Sequence, residues 1–82
     1  MVEVIFDPDF KRDFRKIKNK AIKVKIIKQV SKLRDNPEIG KPMMYGRKGT
    51  RELYVAPFGL SYAYLESEDK IVFLSLYHKD EQ

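Results

Sequence analysis

The chain ends in three short apolar runs separated by turn residues, and this most restricts what it can fold into. Residues 51–56, 60–66 and 71–78 are each shorter than a typical helix and rich in Val, Ile, Leu, Phe and Tyr. Pro57-Phe58-Gly59 is expected to turn the first run into the second, and Ser67-Glu68-Asp69-Lys70 the second into the third. Strands joined by links this short pair antiparallel. The last run ends on the single histidine of the chain, His78, followed by Lys79.

The N-terminal half follows a different period. Val2, Val4 and Phe6 alternate with Glu3, Ile5 and Asp7, which suits a first strand. Asp7-Pro8 ends it and opens a helix, because Asp caps the free N–H groups and Pro fits the first helical position. Phe10, Phe14 and Ile17 then share one helical face. Ile22, Ile26, Ile27, Val30 and Leu33 describe a second face, and Asn36-Pro37 should stop it. Lys18-Asn19-Lys20 has no apolar anchor and allows a turn between the two. Two antiparallel helices are the economical reading; one bent helix is the alternative. Residues 38–50, with Gly40, Pro42, Gly46 and Gly49, read as a loop. The order β-α-α-β-β-β predicts an α+β domain, two N-terminal helices packed on a mostly antiparallel sheet.

Eighty-two residues make a single domain, residues 1–82, with a thin core. The chain has no cysteine, which excludes disulfides, thiol catalysis and Cys-based zinc sites. No run approaches the roughly 20 apolar residues of a membrane span or forms a signal peptide, so a cytoplasmic location is expected. The net charge of +5 favours polyanionic partners. Its distribution is uneven. Residues 10–34 carry eleven Lys and Arg against one acid, Asp13, whereas residues 66–82 carry five acids against two bases. A helix face solvated by lysines is the plain alternative to a binding surface.

Few groups can carry chemistry. Imidazole is the side-chain type that exchanges protons near neutral pH, and a cation beside His78 suits a phosphate; a plain surface histidine at a strand end fits equally. Strand alternation sends His78 and Lys79 to opposite faces. Arg47, Lys48 and Arg51 crowd a glycine-containing loop and a strand start, where Arg can grip phosphate with two parallel bonds. Gly46-Arg47-Lys48-Gly49-Thr50 lacks the spacing of a P-loop. Glu66, Glu68 and Asp69 fall on a turn, where acids are ordinarily solvated, so no metal site is expected. The serines have no neighbouring base. Tyr45, Tyr54, Tyr62, Tyr64 and Tyr77 could stack bases, although packing is the more usual role at such spacing.

Taken together, these features resemble the RelE/ParE superfamily of toxins from type II toxin–antitoxin modules. The likeness runs from the opening strand and the Asp7-Pro8-x-Phe10-Lys11 helix start to the basic helices ending at Asn36-Pro37. It continues through Gly40-Lys41-Pro42, Arg51-Glu52-Leu53-x-Val55, the Tyr62 strand and the close on His78-Lys79. The resemblance implies a toxin held inactive by a small acidic antitoxin, with a heterotetramer among the assemblies it allows. In the RelE-like branch it implies a ribosome-dependent mRNA endonuclease that needs no cofactor or metal. There the 2′-hydroxyl attacks the neighbouring phosphate, helped by a base, by cations and by an acid. The ParE-like branch shares the fold but inhibits DNA gyrase.

Carried over position by position, the resemblance implies Arg51 and Lys79 as phosphate-binding and charge-stabilising groups, His78 as acid or base, and Arg47 and Lys48 as RNA contacts. Two positions depart from the nuclease pattern. Gly59 stands where an arginine commonly precedes an apolar pair and a tyrosine, and Tyr54 stands at another basic position. The resemblance also lacks the acidic or aromatic tail of many active members, since the sequence stops at Gln82. One missing preorganised charge commonly lowers a rate by about 10²–10³. The first expectation is an mRNA endonuclease that blocks translation. The alternative is a non-nuclease protein of the same fold, directed at gyrase or binding only its antitoxin.

Overall fold

The computed structural model describes residues 2–42 and 49–78. The chain opens with β1 (Glu3–Phe6), α1 (Pro8–Lys16) and α2 (Lys20–Asp35). A two-residue strand, β2 (Lys41–Pro42), follows, then β3 (Thr50–Val55), β4 (Phe58–Leu65), a 3₁₀ turn (Glu66–Glu68) and β5 (Lys70–His78). This is the predicted α+β arrangement with one short strand added.

Local signals set the helix ends. The Asp7 carboxylate accepts the Asp9 N–H at 2.9 Å, and Pro8 occupies the first turn. Asn19 caps α2 by accepting from Ala21 (2.9 Å) and Ile22 (3.2 Å), which separates two helices where one bent helix was the alternative. Asn36 ends α2, its N–H donating to the Lys32 carbonyl at 2.8 Å.

The sheet order is β1-β5-β4-β3-β2. Strands β2 to β5 pair antiparallel, and β1 lies parallel to β5, with Val4 opposite Ile71 and Phe6 opposite Phe73. The predicted Pro57-Phe58-Gly59 turn needs correction. Val55 pairs with Phe58, so Ala56 and the cis Pro57 make the whole connection, while Phe58 and Gly59 already belong to β4. The reason is non-local, since Phe58 and Gly59 also pair with His78 and Tyr77. The predicted loop over residues 38–50 likewise contains β2, which pairs Lys41 with Glu52 and Pro42 with Arg51.

One core joins both helices to one sheet face. Phe10, Ile17, Ile26 and Leu33 meet Val55, Leu60, Tyr62, Ile71, Phe73 and Leu76. Phe73 is ringed by Phe6, Phe10 and Tyr62 at centroid distances of 5.4, 5.6 and 6.0 Å, a dense aromatic centre for so small a core. Between the Ser61–Ser75 and Tyr62–Phe73 pairs the register shifts, and Leu74 is the extra residue of a β-bulge. The bulge reverses the alternation of β5, so Leu76 joins the core after Ile71 and Phe73. It also turns His78 towards the helices and Tyr77 away from them. The opposite sheet face, with Glu52, Tyr54, Gly59, Ser61, Ser75 and Tyr77, has no helix over it among the described residues.

Candidate functional site

His78 ends β5 opposite Phe58, and their rings meet edge to face at 5.3 Å. The imidazole lines a cleft of about 540 Å³ with Asp13, Lys16, Ile17, Phe58 and Leu76. Its Nδ1 is buried and has no hydrogen-bond partner among the described residues. The adjacent end of α1 is held to β5 by the Leu76 N–H, which donates to the Asp13 carboxylate at 3.3 Å. The cleft thus offers an imidazole, an ammonium and a carboxylate, a combination suited to moving a proton beside a charged group.

Arg51 does not share this cleft. It pairs with Tyr62 on β4, whereas His78 pairs with Phe58, four residues away or about 13 Å along the strand. Its Nη1 donates to the carbonyls of Glu38 (3.1 Å) and Gly40 (2.8 Å), fastening the connection that follows α2. The buried Tyr62 hydroxyl completes the fastening. It donates to the Pro37 carbonyl (2.7 Å) and accepts the Gly40 N–H (2.9 Å). Burial pushes the Tyr62 hydroxyl above its usual pKa, partly offset by the Gly40 N–H and the Arg51 charge. Arg47, Lys48 and Lys79 lie outside the described residues, as does Tyr45.

The uncovered sheet face carries the departures noted in the sequence. Tyr54, Gly59 and Tyr77 lie in line across β3, β4 and β5. The Tyr77 ring rests on Gly59: a Cβ there would stand 2.5, 2.7 and 3.0 Å from its Cε2, Cζ and Oη. The Tyr77 hydroxyl donates to the Glu52 carboxylate on β3. The space that an arginine at position 59 would need is therefore filled by a neighbour's ring. No local sequence signal marks this, because residues 59 and 77 meet only through register. Among the tyrosines, Tyr62 packs in the core and Tyr54 is 60% exposed.

A second cleft, about 640 Å³, runs between α1 and α2. Phe6, Phe10, Phe14, Ile27 and Val30 give it apolar walls, and Lys11 and Arg15 stand at it. Ile27, predicted as part of the apolar face of the second helix, is 54% exposed and lines this cleft. Glu66, Glu68 and Asp69 surround the 3₁₀ turn, where Glu68 pairs with Lys70 at 3.7 Å. No group of three His, Cys, Asp or Glu among the described residues could hold a metal. No described helix is long and apolar enough to cross a membrane.

These features agree with what the chain is similar to. No curated protein matches it in sequence. In structure it is similar to the isolated RelE toxin of E. coli, at 14% identity and a TM-score of 0.80 over 95% of this chain and 84% of that one. It is also similar to a chain of the RelBE2 toxin–antitoxin complex of Mycobacterium tuberculosis, at 22% identity and a TM-score of 0.82 over 95% and 98%. A YoeB/ParE toxin from Agrobacterium tumefaciens matches at 12% identity and a TM-score of 0.81 over 94% and 98%. At such identities these likenesses show the fold. The family itself comes from the sequence: the model described as the ParE toxin of the type II toxin–antitoxin system, parDE, matches residues 4–82, so the chain belongs to the ParE toxin family within the RelE/ParE superfamily.

Proposed function

We propose that this toxin acts in the cytoplasm on ribosome-bound mRNA, which it cuts to block translation, and that a small acidic antitoxin restrains it. The observation that carries the RNA reading is His78, held in the sheet-end cleft that Lys16 also lines. In the proposed step an RNA 2′-oxygen bonds to the adjacent phosphorus while its proton passes to a base. The bond from phosphorus to the 5′-oxygen then breaks, and that oxygen takes a proton from an acid. The products are a 2′,3′-cyclic phosphate and a 5′-hydroxyl. An imidazole is the side-chain type that exchanges protons near neutral pH, so His78 is the residue proposed as acid or base. Lys79 stabilises the phosphate in this reading, and Arg47 and Lys48 contact the RNA backbone. Arg51, already bonded to two carbonyls, contributes to stability before it contributes to activity.

The test is cleavage of mRNA in ribosome complexes. His78→Ala should cut the rate by about 10²-fold while folding is retained, the usual scale for a lost acid or base. Lys79→Ala should also lower it. Full activity in both variants would misplace the site. One observation favours a second reading, a gyrase-directed or antitoxin-binding protein without nuclease activity: Tyr77 occupies the space over Gly59. Growth arrest with intact mRNA and broken DNA would select that reading.

The antitoxin reading rests on the cleft between α1 and α2. Apolar walls with Lys11 and Arg15 beside them fit an amphipathic helix with acidic flanks. The RelBE complex of E. coli and the YoeB–YefM complex of Staphylococcus aureus show related folds beside antitoxins. Ile27→Asp should weaken capture of the acidic protein encoded beside the toxin by at least about ten-fold, roughly the 1.4 kcal/mol of one lost apolar contact. Thermal unfolding should barely change, since Ile27 is already exposed. Unchanged affinity would move the interface elsewhere.

A further inference from the structure

We infer that Asp13 is a positioning residue: its carboxylate ties α1 to the outer edge of β5 and so fixes the direction of the His78 imidazole. The inference deepens the nuclease reading of the sheet-end cleft and rests on it. Asp13 is the one acid among the eleven Lys and Arg of residues 10–34. The helix does not account for it. A negative charge towards the C-terminal end of α1 opposes the helix dipole, which Arg15 and Lys16 in the last turn favour. Its neighbour Arg12 stands 3.7 Å away and is mostly exposed, so that pair contributes little. Yet only 23% of the Asp13 side chain is exposed. A carboxylate withdrawn that far from water needs a donor, and Asp13 finds one in the Leu76 N–H at 3.3 Å.

The place of that bond gives it a consequence. β1 covers β5 only from Lys70 to Phe73, where the Asp7 N–H donates to the Phe73 carbonyl. Past Phe73, no strand flanks β5 on that side among the described residues. The bulge at Leu74 also interrupts the ladder to β4 at this point. The end of β5 is therefore held by β4 along one edge and by Asp13 at Leu76 on the other. His78 follows Leu76 by two residues, about 7 Å along the strand, and shares its face. Anchoring Leu76 restricts the twist of the strand end that would swing the ring away from Phe58 and out of the cleft. An acid or base works only if held within about 0.5 Å of its productive geometry. Asp13 lines the same cleft and acts on His78 through the backbone of β5.

The chain has one histidine, so its imidazole proton signals identify themselves in an NMR spectrum. The Phe58 ring, 5.3 Å from the imidazole, displaces those signals from their free positions. Asp13→Ala should move them towards the free positions and speed hydrogen exchange at the Leu76 amide by roughly ten-fold. In ribosome-bound mRNA cleavage it should lower kcat by about ten-fold and leave KM within about two-fold. Asp13→Asn keeps an oxygen that can accept from Leu76, and should restore the signals, the exchange rate and most of kcat. Asp13→Leu removes the acceptor while keeping volume and favouring the helix, and should reproduce the alanine effects where Asp13→Ala is too unstable to measure. Unmoved His78 signals in the alanine and leucine variants would overturn the inference. So would an asparagine variant as slow as alanine with its His78 signals in the wild-type place. A wild type that cuts no mRNA would refute the nuclease reading alone, because the imidazole signals and the exchange rate still decide whether Asp13 holds His78.

Discussion

Gly40→Ala is expected to destabilise the protein by about 4 kcal/mol, lowering Tm by about 20 °C. A Cβ at position 40 would stand 2.5 Å from the Tyr62 hydroxyl, 2.8 Å from its Cε1 and 3.0 Å from the Glu52 carbonyl oxygen. Tyr62 cannot swing aside, because its ring is fully buried against Phe73. Relief would have to come from moving β3 or from breaking the bonds that Tyr62 makes to Pro37 and Gly40. Overpacking costs about 1–3 kcal/mol, and each buried polar group left unpaired costs a similar amount. Tyr62→Phe separates the two contributions. It keeps the ring and removes only the hydroxyl, so it should cost about 2 kcal/mol. The pH dependence gives a second check. The folded pKa of Tyr62 is raised above 10.0, so its contribution to stability is complete below that value and is lost as pH rises through the folded pKa. Tyr62→Phe should lack that part of the alkaline decline. Denaturant unfolding at neutral and alkaline pH measures all three effects; a Gly40→Ala variant as stable as wild type would refute the steric account.

The knot around Gly40 also shows what the sequence could and could not reveal. Asp7-Pro8, Asn19 and Asn36-Pro37 act within a few residues of themselves, through caps and local sterics, so the helix limits were legible. The alternation of β3 and β4 revealed their existence, but not their ends. Phe58 reads as a turn residue beside Pro57 until His78 is seen to pair with it. Likewise, the parallel pairing of β1 with β5 joins residues more than sixty positions apart. Arg51 carried a basic charge at a strand start, which suggested phosphate; the Glu38 and Gly40 carbonyls that occupy its Nη1 come from the chain folding back after α2. Ile27 fitted the apolar period of α2 and is exposed where it lines the cleft between α1 and α2. His78 was legible as a candidate from its residue type, but its direction was not. The bulge at Leu74 decides which way the end of β5 faces, and nothing in Phe73-Leu74-Ser75 marks that bulge in advance.

Gly59→Arg should cost about 3 kcal/mol in the wild-type background and far less once Tyr77 is removed. Gly59 has an ordinary backbone conformation, so the penalty is not strain at φ. It comes from the Tyr77 ring, which must leave its place over β4 and give up its bond to the Glu52 carboxylate. Hydrogen bonds to charged groups contribute about 1.5–3 kcal/mol, and the displaced ring also loses its packing. In Gly59→Arg/Tyr77→Gly the volume is vacant and the arginine can lie across the face. The two substitutions should therefore couple by about 2 kcal/mol in a double-mutant cycle, whereas independent sites add within about 0.5 kcal/mol. Additive costs would show that Tyr77 does not control position 59. The residue at 59 is thus constrained by the residue at 77, and a glycine where a cation is expected becomes intelligible as the partner of a tyrosine.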